Sequence, residues 1–444
     1  MSFTIDRQSI EELNLLGKFR HGSVYYLFNQ VKTRAGEQLL NDLFTNPLTD
    51  HQQINDRTGV FRFFQTAALP FPFDPNQVAL MQEYVDSGNG QGRLFSYIDI
   101  FLKRCLSGII RDERYRRLIQ GLQAAITVLK KCFDFVELLD SMGGPFKARA
   151  GSIKRTLSDS RVVRLINTDI YKSISLSLLA AYDYLLRDKL HAEIQEVLKF
   201  IAEADVYIAV GNVARTKGFI YARALPASAN VLQATELRHP CIEHAIGNHI
   251  EMQESKNVIF LTGANMAGKS TWMKSVGIGM YIAHIGFPVA AASMTFSVRE
   301  GIFSSINVAD NIGLGYSHFY AEVVRVKNAA EATSTGKHLL LIFDELFKGT
   351  NVKDAYDGTL AVTEAFAGYA NCLFIVSTHI IEVGEELKAH DNIRFTYMPT
   401  IMDGRTPRYT YTLQEGITQD RQGMMIIRNE KILEIIEGTA SGPL

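Results

Sequence analysis

The stretch Gly263-Ala264-Asn265-Met266-Ala267-Gly268-Lys269-Ser270-Thr271 sets a lysine and two hydroxyls directly behind a glycine, with another glycine five residues earlier. This G-x-x-x-x-G-K-[S/T] spacing suits polyphosphate chemistry. The glycines let backbone N–H groups approach phosphate oxygens, Lys269 would hold the β- and γ-phosphates, and the Ser270 hydroxyl would ligate Mg²⁺. The apolar run Val258-Ile259-Phe260-Leu261 precedes the motif, and a helical pattern of Trp272, Met273, Val276, Met280 and Ile282 follows it. Strand, loop and helix therefore come in the order a phosphate cradle needs, and the helix N-terminus adds its positive dipole end. The competing reading, a glycine turn before an ordinary helix, is disfavoured by these flanking elements.

A bound magnesium triphosphate also needs carboxylates. Leu339-Leu340-Leu341-Ile342-Phe343 is an apolar run that ends in Asp344-Glu345, the Walker B arrangement. A buried parallel strand would carry Asp344 to the C-terminal edge of a sheet to complete the metal shell. Glu345 would then orient or deprotonate the attacking water. Alone the run is weak evidence, because strands often exit into acidic turns; the preceding phosphate motif strengthens it. A third run, Leu373 to Thr378, delivers His379 to the same edge. A lone histidine after a strand is commonly a packing or solvent residue, but this position suits a γ-phosphate sensor. The predicted site is thus ATP with Mg²⁺, held by residues 263–271 and Asp344, with Glu345 and His379 as catalytic candidates.

These side chains need a scaffold, and 444 residues predict two to three domains at about 150 residues each. Hydrophobic residues make up 47% and charged residues 21%, enough to bury a sizeable core. The N-terminus lacks the order of a signal peptide, and no run reaches the ~18 apolar residues of a membrane span. A cytoplasmic protein without a membrane partner is expected. Cys105, Cys132, Cys241 and Cys372 form no CxxC pair, so they are expected to be reduced and mostly buried.

The formal net charge is only -1, yet residues 101–164 hold 14 Lys or Arg against 6 Asp or Glu. That excess reads either as a phosphate-facing stripe or as the solvated faces of long helices. Residues 1–225 read as a mostly helical domain, with Leu118, Leu122, Ile126 and Leu129, and later Leu185, Ile194, Leu198, Ile201 and Ile208, at helical spacing. Breaks are expected at Asn46-Pro47, from Leu69 to Pro75, from Ser87 to Gly92 and from Met142 to Pro145. After Leu225-Pro226, short Ile-, Val- and Phe-rich runs alternate with helical patterns. Residues 226–444 therefore read as an α/β domain with a parallel sheet, the boundary lying near 220–235.

The motifs together resemble those of the MutS family of mismatch-repair ATPases. Thr262 to Thr271 is similar to the family's T-G-P-N-M-G-G-K-S-T, with Ala264 and Ala267 as departures. Asp344 to Thr350 is similar to D-E-x-G-R-G-T, with Phe347 and Lys348 replacing Gly and Arg. Ser377-Thr378-His379 resembles A-T-H, and Arg238-His239-Pro240 with Ile242-Glu243 resembles the lead-in to the ATPase. Ala309-Asp310-Asn311 through Gly315, Ser317, Phe319 and Glu322 resembles the signature segment, with Tyr316 and His318 as departures. Weaker similarity runs through the helical half, at Thr33 to Leu40, Pro47, Asp50, Ile54 to Arg57, and Ala202 to Val213.

The resemblance implies an α/β P-loop NTPase of the ABC-type, MutS-like kind, C-terminal to a mostly α-helical core and lever domain. It implies a homodimer through the ATPase domain in which Ser317 acts in trans on the partner's ATP, and it implies DNA as a partner. On this reading the chain carries no counterpart of the family's mismatch-reading and connector domains, and its clamp is short. Two functions stay open: an ATPase coupled to DNA binding in repair or recombination, and a nucleotide-switched protein-interaction module that does not bind DNA.

Overall fold

The computed structural model describes residues 3–17, 22–87, 97–98, 100–102, 113–169, 175–306, 318–403, 406–418 and 435–436. They form two compact units: Met1–Leu27, Asn46–Thr58 and Ala214–Leu444 in one, Phe28–Thr45 and Gly59–Val213 in the other.

The first unit is built on a seven-stranded sheet in the order Thr4–Ile5, Gly301–Ser305, Leu339–Asp344, Leu373–Ser377, Val258–Gly263, Ile393–Met398, Gln414–Glu415. Every pairing is parallel except the last. Val258–Gly263 and Leu373–Ser377 are buried along their whole length, as the continuous apolar runs of a sheet covered on both faces require. Side chains alternate across the sheet. Leu339, Leu341 and Phe343 join a cluster with Phe366 and Phe374, and the Phe343 and Phe374 rings stack on Phe366 at 5.5 and 5.0 Å. Ile342 turns to the other face, against Gly277 of the helix Lys269–Ile285. A smaller four-stranded sheet comprises Arg223–Leu225, Ser293–Ser297, Leu232–Leu237 and Asn248–Met252.

The N-terminal residues depart from the helical domain expected for 1–225. Thr4 and Ile5 pair with Gly301 and Ile302, supplying backbone partners to what would otherwise be an open sheet edge. Side chains then fix the segment. The Glu12 carboxylate accepts from Ser304 Oγ at 2.6 Å and Ile306 N at 3.0 Å, and Asp6 pairs with the Arg325 guanidinium. These contacts join positions about three hundred residues apart, which local periodicity cannot reveal.

The second unit is helical. Pro75 opens the helix Pro75–Asp86, and the Asp74 carboxylate accepts from Asn76 N at 2.8 Å, an N-cap that satisfies one of the helix's open donors. In the helix Glu113–Met142, Leu118, Leu122, Ile126 and Leu129 are all buried, forming the apolar stripe their spacing predicts. Gly143 ends it in a left-handed conformation (φ 70°) and donates to Leu139 O. Leu185, Ile194, Leu198, Ile201 and Ile208 enter the same core. Of the basic residues in 101–164, Arg149 pairs with Glu196 and Glu203, Lys154 with Glu137 and Asp140, and Arg161 with Asp159.

Cys132 and Cys372 are buried and Cys241 is half-buried, all free; Cys105 lies outside the described residues. Among the described residues no helix is long and apolar enough to cross a membrane.

Candidate functional site

Three parallel strands end side by side at one edge of the large sheet. Asp344 stands opposite Ser377, and Ser377 opposite Leu261, which leads into the loop 263–268. Backbone bonds lock the three ends together: Glu345 N donates to Ser377 O at 2.9 Å, and Thr378 N to Leu261 O at 3.1 Å.

The loop owes its course to its glycines. Gly263 (φ 144°) and Gly268 (φ 103°) adopt backbone that side chains rarely take. A β-carbon on Gly268 would sit 2.9 Å from the Tyr411 ring, and one on Gly263 would sit 3.0 Å from Met398 O. Gly268 gives the helix Lys269–Ile285 no side-chain cap, which leaves its first N–H groups open toward the loop, as an anion site requires. Ala267 is fully buried, whereas Met266 is 78% exposed. Asn265 and Thr271 are exposed.

Lys269 is buried, and its ammonium donates to Gly263 O at 2.9 Å and Ala264 O at 3.2 Å. Burial lowers its pKa, against the opposing charges of Asp344 and Glu345. The Ser270 hydroxyl donates to Asp344 Oδ2 at 2.5 Å. Burial raises the Asp344 carboxyl above its usual range, while the neighbouring Ser270 and Ser377 hydroxyls and Lys269 favour the charged form. Asp344 Oδ1 is buried without a hydrogen-bond partner. A buried half-paired carboxylate beside a hydroxyl fits a hard cation that takes oxygen ligands. Among the described residues no three His, Cys, Asp or Glu side chains gather as a self-sufficient metal cluster. Mg²⁺ is commonly held by one or two carboxylates plus substrate phosphates and water.

Glu345 takes a left-handed backbone (φ 57°) and lies 3.8 Å from His379 Nδ1. The partnership lowers the Glu345 pKa and raises that of His379, with burial opposing both. Lys269, Ser270, Asp344, Glu345 and His379 are thus brought to one edge. Ser317 and the segment 309–317 lie outside the described residues.

A cavity of about 650 Å³ opens from this edge, lined by Lys269, Ser270 and Glu345 at one part and by Ile242, Ile246, Asn248 and Tyr411 elsewhere. Asn248 fastens its wall: Nδ2 donates to Tyr411 O at 2.9 Å, and Oδ1 accepts from Leu413 N at 2.7 Å. His239 also lines the cavity and is held neutral by burial, its pKa lowered to about 4. No sequence signal singles out Asn248 or Tyr411. They belong to no local motif, and only the fold brings them beside residues 263–270.

The sequence model of the family described as MutS domain V matches residues 259–441. DNA mismatch repair protein spellchecker 1 of Drosophila melanogaster is 28% identical over 236 residues, covering 51% of this chain and 26% of that protein. DNA mismatch repair protein MutS of Pseudothermotoga lettingae is 29% identical over 258 residues, 54% of this chain and 31% of that protein. DNA mismatch repair protein MutS of Leuconostoc mesenteroides is 25% identical over 251 residues, 54% of this chain and 29% of that protein. The matched region spans less than a third of each relative's length. Residues 259–441 thus match MutS domain V, and the C-terminal half of the chain is similar to these mismatch repair proteins.

Proposed function

We propose that this protein is a P-loop ATPase that binds magnesium ATP at the sheet edge, hydrolyses it, and couples the cycle to DNA. The observation that carries the reading is the convergence of Lys269, Ser270, Asp344, Glu345 and His379 beside one cavity. In this reading Lys269 transfers its ammonium from the Gly263 and Ala264 carbonyls to β- and γ-phosphate oxygens. The uncapped first N–H groups of the helix Lys269–Ile285 would hold the remaining phosphate charge. Ser270 and Asp344 would hold Mg²⁺, which would neutralise charge on the phosphates. Glu345, kept ionised by His379, accepts the proton of the attacking water, and His379 senses the γ-phosphate. Tyr411 and Ile242 line the part of the cavity that would take the base.

By family likeness, Ser317 completes the partner's site in a homodimer, and helical levers carry the closure to DNA. Repair or recombination is the setting, in the cytoplasm, consistent with the mismatch-repair names of the relatives. Exposed Lys130, Lys131, Lys147, Arg155 and Arg164 supply cations for phosphate contacts. The pairing of Arg149, Lys154 and Arg161 with acids favours a second reading, in which the same ATPase gates a protein partner without DNA.

Fluorescence anisotropy on duplex, mismatched, branched and single-stranded DNA separates the two. The DNA reading predicts binding that weakens as salt rises; no binding to any of them at low salt would sink it. For the shared site, subunits carrying Lys269→Ala mixed with subunits carrying Ser317→Ala should recover turnover that neither shows alone. Failure to complement contradicts the trans role of Ser317.

A further inference from the structure

The turn that follows Asp344 contains an unusual backbone. Glu345 (φ 57°) and Phe347 (φ 60°) both adopt the left-handed conformation, which is disfavoured for a bulky side chain. Such a conformation persists only where the surroundings over-determine it.

The surroundings are visible. The Phe347 ring is 7% exposed and meets the Phe319 ring edge-on, with centroids 6.2 Å apart. On another side it presses on Gly358, where a β-carbon would come within 2.9 Å of the ring. Two hydrogen bonds hold the same turn. Gly349 N donates to Glu322 Oε2 at 3.3 Å, and Thr359 Oγ1 donates to Leu346 O at 3.3 Å. Phe319 and Glu322 lie three residues apart on the helix His318–Ser334, so they share a face. One helix therefore grips the turn at two points, and the helix Val352–Ala367 grips it at two more.

We propose that Phe347, with Glu322, is a positioning residue for Glu345, tying the turn that carries this carboxylate to the helix His318–Ser334. The inference rests on the ATPase reading. Phe347 touches no reacting group; it acts by denying Glu345 other orientations. Replacing it with glycine relieves the unfavourable backbone but removes the wedge, so a role in positioning and a role in mere backbone fit predict opposite results.

ATP turnover, ATP affinity and amide exchange at residues 345–350 should be measured together for the wild type, Phe347→Gly, Phe347→Leu and Glu322→Gln. In Phe347→Gly, kcat should fall on the order of 10²-fold with ATP affinity kept, the effect of a misplaced reacting group, and amides 345–350 should exchange faster. Phe347→Leu, which keeps a buried apolar side chain, should recover most of the rate, and Glu322→Gln should lose less than the glycine variant. An unchanged kcat in Phe347→Gly, or equal losses of kcat and affinity, overturns the proposal. If the glycine variant does not fold, wild-type turnover in both Phe347→Leu and Glu322→Gln supports the wedge but overturns the role of Glu322. A large loss in Phe347→Leu with unchanged exchange overturns the wedge. A wild type without turnover contradicts the ATPase reading itself and is read from that one sample.

Discussion

Two aspartates with buried carboxylate oxygens differ in how completely they are paired. Asp205, in the helical unit, is 2% exposed and saturated: its carboxylate accepts from Lys32 N, Thr33 N and Thr33 Oγ1 at 2.7–3.0 Å. Asp344, at the sheet edge, accepts from Ser270 through one oxygen and leaves the other buried without a partner. A buried polar group costs stability unless paired, so Asp205 closes a structure, while in the proposed ATPase Asp344 would keep an oxygen for the metal ion. Burial raises both carboxyls; what separates them is the completeness of their hydrogen bonding.

Removing each group should therefore break different properties. The largest effect is expected from Asp344→Asn: ATP turnover in magnesium should fall at least about a hundredfold, more than loss of an outer-shell partner costs, with little change in thermal stability. Retained turnover would remove Asp344 from the metal site. Asp205→Ala should do the reverse, costing about 1–3 kcal/mol in denaturant unfolding of the helical unit by stranding the Lys32 and Thr33 donors, while isothermal titration finds ATP affinity unchanged. If both variants lose nucleotide binding alike, the contrast between a structural and a functional carboxylate fails.

The site itself has two parts, and their legibility differed. The residues 263–271, Asp344-Glu345 and His379 were readable because strand runs ending in polar residues announce a sheet edge, and parallel pairing brings successive ends together. The strands Gly301–Ser305 and Ile393–Met398 carry no such signal. Gly301-Ile302-Phe303-Ser304-Ser305 is short and half polar, and Ile393-Arg394-Phe395-Thr396-Tyr397-Met398 mixes charged and hydroxyl residues into its apolar pattern. Thr4–Ile5 is too short to carry any periodicity; its place depends on Asp6, Ser9 and Glu12 reaching Arg325, Ser304 and Ile306. Tyr411 was invisible for a similar reason, since Asn248, distant in sequence, holds its backbone at the cavity wall.

Tyr411→Ala tests that less legible part. It should weaken nucleotide binding by about 1–3 kcal/mol if the ring stacks on the base, with kcat at saturating ATP little affected; unchanged affinity in a titration would exclude the ring from the base site. The smallest effect concerns the Glu345 and His379 pair. A carboxyl with a lowered pKa contributes stability that is lost as pH falls through its folded value. A histidine with a raised pKa contributes stability that is lost as pH rises through its folded value. The pair's contribution is thus present between the depressed Glu345 value and the elevated His379 value, and disappears on either side. In Glu345→Gln the His379 pKa should drop, since burial then acts with less opposition, as followed by the ring-proton NMR shifts. A His379 titration identical to wild type would show that the two groups do not interact.

In the proposed ATPase Glu345 activates water for a nucleotide held by its neighbours, and phosphate release from preloaded ATP tests this most directly. Glu345→Gln should bind magnesium ATP as tightly as the wild type and release phosphate at least about a hundredfold more slowly, at the lower end of what a positioned general base contributes. Equal release rates from the two proteins would contradict it.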